Sequence, residues 1–176
     1  MIQSTTLHLG CGNKKVVGAL GIDFNPKSQA DLIHDLSVFP WPLESDTFDR
    51  VICAHVLEHL DDIVRVMAEL HRVCKDGAII EIRTPHFSNV HSWDDPTHRY
   101  HFTTASFDYF QKGHSFSYCD VDFEISERKL TFGGSIINIP ARLLCAISLR
   151  FYEKHCAFMM PAHNLMITLR AWKRKV

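Results

Sequence analysis

Two groups of residues in this sequence have the types and spacing that chemistry requires. The first is Gly10-Cys11-Gly12, which follows the apolar run Thr6-Leu7-His8-Leu9. Asp23 stands 11 positions after Gly12, at the end of the next apolar run, Leu20-Gly21-Ile22. Glycines at such a turn let backbone approach a ligand, and a carboxylate can accept both hydroxyl protons of a ribose. A dinucleotide site would need G-x-G-x-x-G with an acid about 20 residues on. Lys15 occupies the third glycine position, Asp23 comes too early, and no G-x-x-x-x-G-K-[ST] phosphate loop is present. A nucleoside without a pyrophosphate fits better. The second group is the run His91-Ser92-Trp93-Asp94-Asp95-Pro96-Thr97-His98-Arg99-Tyr100-His101, with His86 just before it. Three readings of this run stand side by side: a solvated loop turning at Asp94-Asp95-Pro96, the acceptor side of an active site, or a metal site built from His86, His91, His98, His101 and an aspartate. No C-x-x-C or H-E-x-x-H motif accompanies these histidines, and no metal ligand is assigned from the sequence.

The elements that must hold these groups follow from the hydrophobic pattern. The chain has 176 residues, enough for one domain with a sizeable core. With 46% hydrophobic and 22% charged residues it is neither disordered, collagen-like nor a coiled coil. A net charge of -1 offers no basic field for nucleic acid. The six cysteines, irregularly spaced and partly within apolar runs, read as reduced cytosolic thiols. Met1 to Thr6 lack a basic region followed by an apolar stretch, so no secretory signal is expected. No apolar run reaches the roughly 18 residues of a membrane span. A cytoplasmic location is expected.

Strands are predicted at Thr6 to Leu9, Leu20 to Asp23, weakly at Asp31 to Leu36, at Arg50 to Ala54 and at Ala78 to Ile82. Ile63, Val66, Met67, Leu70 and Val73 recur at helical spacing within Asp61 to Val73, with Gly77 expected to stop that helix. Alternation of this kind argues for a parallel sheet covered by helices, with ligands at the carboxyl ends of its strands. A threonine-capped helix is expected from Thr103-Thr104 to Gln111, a strand at Phe123 to Phe132, an apolar helical stretch at Ile139 to Met160 and a closing strand at Leu165 to Trp172.

With these elements laid out, the sequence resembles the class I S-adenosylmethionine-dependent methyltransferases, in the broad type 11 family. The resemblance rests on Leu7-His8-Leu9-Gly10-Cys11-Gly12, Gly21-Ile22-Asp23, Asp35-Leu36, Phe39-Pro40-Trp41-Pro42, Phe48-Asp49-Arg50-Val51-Ile52 and Val56-Leu57-Glu58-His59-Leu60. It implies an α/β fold, a Rossmann-like three-layer sandwich with a mostly parallel seven-stranded sheet and an antiparallel last strand. A single domain over 1–176 would divide into a cofactor half, 1–84, and an acceptor half, 85–176. The cofactor would be S-adenosylmethionine, held by His8, Gly10, Cys11, Gly12, Asp23, Phe24, Asp35, Leu36 and His55. Two departures are visible: His8 stands where the family usually has an acid, and only Asn13 to Leu20 separate Gly12 from Gly21, so the first helix must shrink to a turn or so.

Methyl transfer to a hydroxyl needs alignment and a group to take the proton. His98 is expected to be the general base or substrate anchor, assisted by Asp95, with His86 and His101 also lining the pocket. Glu58 and His59 are read as the start of the helix running to Val73. The 139–160 stretch is open to four readings: core helix, lid, dimer surface or peripheral membrane contact, the last favoured by Arg142, Arg150 and Lys154 beside Leu and Phe. Arg170, Lys173, Arg174 and Lys175 read as a solubilising tail. Together these expectations describe a methyltransferase, monomer or homodimer, that O-methylates a small molecule or glycan and binds no nucleic acid. The alternative is an inactive cofactor-binding or metal-sensing module on the same fold.

Overall fold

The computed structural model describes residues 5–116, 118–134 and 136–173. Arg174 and Lys175 of the basic tail lie outside the described residues, as do residues 1–4. Seven strands, β1 Thr6–Leu9, β2 Leu20–Asp23, β3 Leu32–Ile33, β4 Phe48–Ala54, β5 Cys74–Pro85, β6 Asp122–Thr131 and β7 Asn164–Trp172, form one sheet in the order β3-β2-β1-β4-β5-β7-β6. Pairing is parallel from β3 through β5, and β7 runs antiparallel to both β5 and β6. The chain order reverses between β1 and β4, where the loops after both strands leave the same edge and open a crevice.

One face of the sheet is dry. Leu7, Leu9, Val51, Cys53, Ile80, Ile82, Ile167 and Leu169 are all buried on it, because alternate residues of each strand point the same way. Helix α1, Ile63–Val73, lays Val66, Met67, Leu70 and Val73 into this core, and the Asp62 side chain caps it by accepting from the Arg65 N–H. The layering is uneven. No helix joins β1 to β2, β2 to β3 or β3 to β4, and the opposite face is covered at β1 and β2 by the turns around Cys11 to Val16. Further along, that face carries Arg83, Met166 and Arg170 in solvent, with Arg50 and Glu81 paired across the strands at 2.8 Å.

Four local expectations need correction. The third strand shrinks to Leu32–Ile33: before it, the exposed Asp31 side chain accepts from the Gly21 N–H and pairs with Lys15. Gly77 does not end α1. The helix stops at Val73, Cys74 is already extended, and Gly77, at φ +78°, sits inside β5 where its pairing to β4 shifts register. The Thr103 to Gln111 segment forms turns and a short 3₁₀ stretch at Asp108–Phe110, with no side-chain cap bond there. The Ile139 to Met160 stretch is two helices, α2 Ile139–Ile147 and α3 Leu149–His155. Ser148 separates them: its backbone is extended and its hydroxyl accepts from the Phe151 N–H, so it starts a new helix instead of continuing the old one.

Three cysteines, Cys11, Cys53 and Cys74, are buried and three are partly buried; all six are free thiols. Burial pushes the Cys74 thiol up to about 12 and Cys145 up to about 11, so neither is a thiolate nucleophile near neutral pH.

Candidate active site

Two adjoining cavities lie at the carboxyl edge of the sheet. The first, of about 460 Å³, is lined by Gly10, Asp23, Phe24, Asp35, Leu36 and His55, among others. The glycine turn and the second-strand acid meet here. The Gly12 N–H donates to Asp23 Oδ2 at 2.8 Å and the Asn25 N–H to Oδ1 at 2.9 Å. Each oxygen keeps a further lone pair, so this buried carboxylate can still accept from a diol. Gly10 has φ +58°, and a Cβ there would sit 2.5 Å from Val56 Cγ2, so only glycine lets the turn pass this close to the loop after β4. Trp41, itself buried, donates its indole N–H to the Leu36 carbonyl at 3.0 Å and holds Asp35-Leu36 against the cavity. Phe24 supplies an exposed ring beside Asp23.

His8, Cys11 and Gly12 do not line this cavity. His8 is buried on the other side of the turn, where its Nδ1 accepts from the Val16 N–H at 3.2 Å. Burial lowers its pKa, against a smaller opposing effect of the Asp23 charge. His8 must be neutral to accept that bond. The stability it contributes is therefore complete above about pH 6.5, its ordinary value, and is lost as the pH falls through the lowered folded value. A His8→Asn variant, whose side-chain oxygen keeps an acceptor, is expected to lack this component. Denaturant titrations from pH 8 to 5 should show the wild-type advantage shrinking on the acid side. An unchanged difference across that range would remove His8 as the cause.

The second cavity, of about 420 Å³, is lined by His55, Glu58, His59, Asp95, His98 and His163, with other residues of the histidine run. His55 and His59 border both cavities. His55 has φ +55°, which costs a non-glycine residue on the order of 1 kcal/mol and turns its imidazole over the seam. The acceptor loop is tied down from below: the Arg99 N–H donates to the Glu58 carbonyl at 2.7 Å and the Tyr100 hydroxyl to the Asp61 carbonyl at 2.8 Å. These bonds bring His98 against His59, ring centroids 4.6 Å apart, across 39 positions of sequence.

Two of the proposed pocket histidines are elsewhere. His86 is fully buried, its Nε2 at 3.1 Å from Glu153 and its Nδ1 at 2.8 Å from the Ser88 hydroxyl. Burial would raise the Glu153 pKa, yet bonds from His86 and from the Thr104 N–H and hydroxyl outweigh it and hold the carboxyl below its ordinary value. This network pins α3 to the end of β5, which is a structural role. His101 stacks on Trp93 at 3.6 Å and bonds the Ser92 hydroxyl, outside both cavities. Conversely, Glu58 and His59 do not begin α1. They form a separate 3₁₀ turn, Leu57–His59, that presents both to the second cavity. Nothing in their spacing distinguishes that turn from a first helical turn. His163, just before β7, was also missed.

The sheet order and this edge crevice are those of a known fold, and the sequence agrees with it. Residues 7–82 match the family model described as a methyltransferase domain. Over that stretch the sequence resembles the S-adenosylmethionine-dependent methyltransferases of the type 11 family, and solved structures of such enzymes share the fold. A putative methyltransferase from Bacillus halodurans superposes with a TM-score of 0.63 at 12% identity, covering 96% of this chain and 92% of that one. An S-adenosylmethionine-dependent methyltransferase from Mesorhizobium loti gives 0.60 at 16% identity over 96% and 93%. One from Archaeoglobus fulgidus gives 0.58 at 17% identity over 94% and 85%. Among curated proteins, none matches significantly. The chain thus has the seven-stranded sheet with β7 antiparallel that these structures share, and the match to the methyltransferase domain implies S-adenosylmethionine as its cofactor. The lining of the first cavity fits the adenosine half of that molecule: the Asp23 carboxylate can accept from a diol, and Phe24, Leu36 and Leu60 offer apolar surface in a volume typical of small-molecule sites.

Proposed function

We propose that this methyltransferase O-methylates a hydroxylated small molecule or glycan that enters through the histidine-lined cavity. The observation that carries the reading is the seam at His55 and His59, where the adenosine-sized cavity opens onto a second one rich in hydrogen-bonding groups. Gly10, Asp23, Phe24, Asp35, Leu36 and His55 would hold S-adenosylmethionine. When bound, that cofactor supplies a methyl group on a positively charged sulfur. The remaining task falls to the chain: to orient a hydroxyl and receive its proton.

We assign this task to His98. Its Nδ1 lies 3.1 Å from the Ser92 carbonyl, which can only accept, so Nδ1 carries the proton and Nε2 keeps its lone pair. Asp95 Oδ2 is 3.9 Å from that Nε2. The Thr97 hydroxyl and then the Thr97 N–H hold the Asp95 carboxyl below its ordinary pKa, so it stays an anion beside His98.

The α2–α3 hairpin bears on the substrate. Leu143, Ile147, Phe151, Phe158 and Met159 are all exposed beside Arg142, Arg150 and Lys154. An apolar surface edged with cations suits a shallow contact with an anionic membrane, and with it a lipid-linked sugar acceptor. No helix among the described residues is long and apolar enough to cross a membrane.

The test is methyl incorporation over a panel of free hydroxylated acceptors and lipid-linked sugars in anionic vesicles. His98→Ala is expected to lower kcat at least 100-fold on the true acceptor, and Asp95→Asn about 10-fold. Both variants should bind the demethylated cofactor as the wild type does. Unchanged kcat in His98→Ala would refute the assignment. Transfer to amine or thiol acceptors alone would refute O-methylation.

A further inference from the structure

Three acceptor atoms converge in the second cavity with almost no donor to meet them. Glu58 is 1% exposed, and neither carboxylate oxygen has a hydrogen-bond partner. Only His55 Nδ1 approaches, at 3.3 Å from Oε1 and outside hydrogen-bond geometry. One nitrogen each of His59 and His98 and an oxygen of Glu58 all lie within 4.8 Å of one another. The proton positions on both rings follow from their other contacts. Thr97 has one hydroxyl proton and gives it to Asp95 Oδ1 at 2.7 Å, so its oxygen accepts from His59 Nδ1–H at 2.8 Å. His98 Nδ1–H donates to the Ser92 carbonyl in the same way. On neutral rings both Nε2 atoms then remain as lone pairs, with the Asp95 carboxylate 3.9 Å from that of His98. A buried, unpartnered carboxylate beside two such imidazoles is costly unless something positive sits among them.

We propose that Glu58, His59 and His98 bind a first-row divalent cation such as Zn²⁺ or Mn²⁺, leaving open coordination positions toward the acceptor. Two imidazoles and one carboxylate are a donor set such ions favour, and three protein ligands leave room for a substrate oxygen. The surroundings match. In metal sites the non-ligating ring nitrogen typically donates to a carbonyl or carboxylate, as His98 does to Ser92 and His59 does through Thr97 to Asp95. Bound ligand atoms sit roughly 3.3 Å apart at Zn–N distances near 2 Å, so the three groups must draw together slightly. Side-chain rotation of Glu58 and of His98, on its loop, provides that movement.

The inference deepens the proposed function and rests on the second cavity being the acceptor site. In the metal-loaded protein the His98 lone pair holds the cation, and His98 anchors the acceptor through it. A cation that binds the acceptor hydroxyl lowers its pKa, so in that state the proton passes to water or to the Asp95 carboxylate in the same cavity, and the base role given to His98 above applies to the metal-free protein alone.

The experiment uses untagged full-length protein, stripped with a chelator and titrated with Zn²⁺, Mn²⁺, Co²⁺ and Mg²⁺ by calorimetry, with elemental analysis after dialysis. One Zn²⁺ or Mn²⁺ per chain is expected, with a Co²⁺ visible absorption spectrum and a raised Tm in its presence. Glu58→Gln and His98→Ala should each weaken binding at least 100-fold. Thr97→Val should weaken it about 10-fold. His91→Ala should leave it unchanged. Stoichiometric binding that survives both Glu58→Gln and His98→Ala, or no binding by wild type below 1 mM, roughly the weak end of protein cation affinities, would overturn the site. Should Glu58→Gln fail to fold, His98→Ala, on a loop outside the sheet, decides alone. Binding of the demethylated cofactor is measured on the stripped protein in parallel. Cofactor binding without metal binding removes only the cation. Metal binding without transfer to any hydroxylated acceptor removes only the O-methylation reading.

Discussion

An Asp23→Ala chain is expected to bind S-adenosylhomocysteine at least 100-fold more weakly than wild type. In the proposed complex Asp23 would accept from both ribose hydroxyls, and each hydrogen bond to a charged group contributes about 1.5–3 kcal/mol. Losing both amounts to roughly 3 kcal/mol or more, which is a factor above 100. The same substitution strands the Gly12 and Asn25 N–H groups, which Asp23 accepts at 2.8 and 2.9 Å, so Tm should also drop by several degrees. The two effects separate by calorimetry well below Tm. Asp49→Ala, which removes only an exposed pair with Lys75, serves as the control and should change neither quantity much. Wild-type affinity in Asp23→Ala at a temperature where it is folded would place the ribose elsewhere.

Gly10→Ala should be the most destabilising single change near the site. A left-handed φ costs an alanine about 1–2 kcal/mol. Overpacking against Val56, whose Cγ2 would lie 2.5 Å from the new Cβ, adds about 1–3 kcal/mol. For a chain of this size the sum corresponds to a Tm lower by about 5–15 °C. The two causes can be told apart. Val56→Ala in the same chain relieves the clash and leaves the backbone strain, so it should restore part of the loss and not all of it. Full restoration would mean that the positive φ costs nothing here. No loss in Gly10→Ala would mean that the turn readily shifts away from the loop after β4.

Much of the framework is local and therefore legible. β1 and β2 run over the residues that the apolar pattern marks, because a strand buried on one face writes its alternation into the chain. The short link from Gly12 to Gly21 implies a first helix reduced to a turn or so, and the structure has only turns there, since eight residues cannot wind a helix and return. Elements decided by competition were misjudged. Gly77 carries the signature of a helix stop, but the helix ends earlier, at Val73, and the left-handed glycine serves β5 instead. Ser148 splits an apolar run because its hydroxyl finds the Phe151 N–H, a contact that composition does not reveal.

Residue types and spacing by themselves led to the expectation that Gly10, Gly12 and Asp23 meet at one strand edge, and the structure brings them together there. Which histidines face the ligand was decided only in three dimensions. His86 and His101, attractive as sequence neighbours of His98, are consumed by Glu153 and Trp93. Glu58 and His59, discounted as an ordinary helix start, meet His98 because backbone bonds from Arg99 and Tyr100 fasten a distant loop onto the Glu58 carbonyl. The reason is physical: periodicity records which face of an element is dry, whereas the free lone pair of an imidazole depends on whatever partner the other nitrogen finds across the fold.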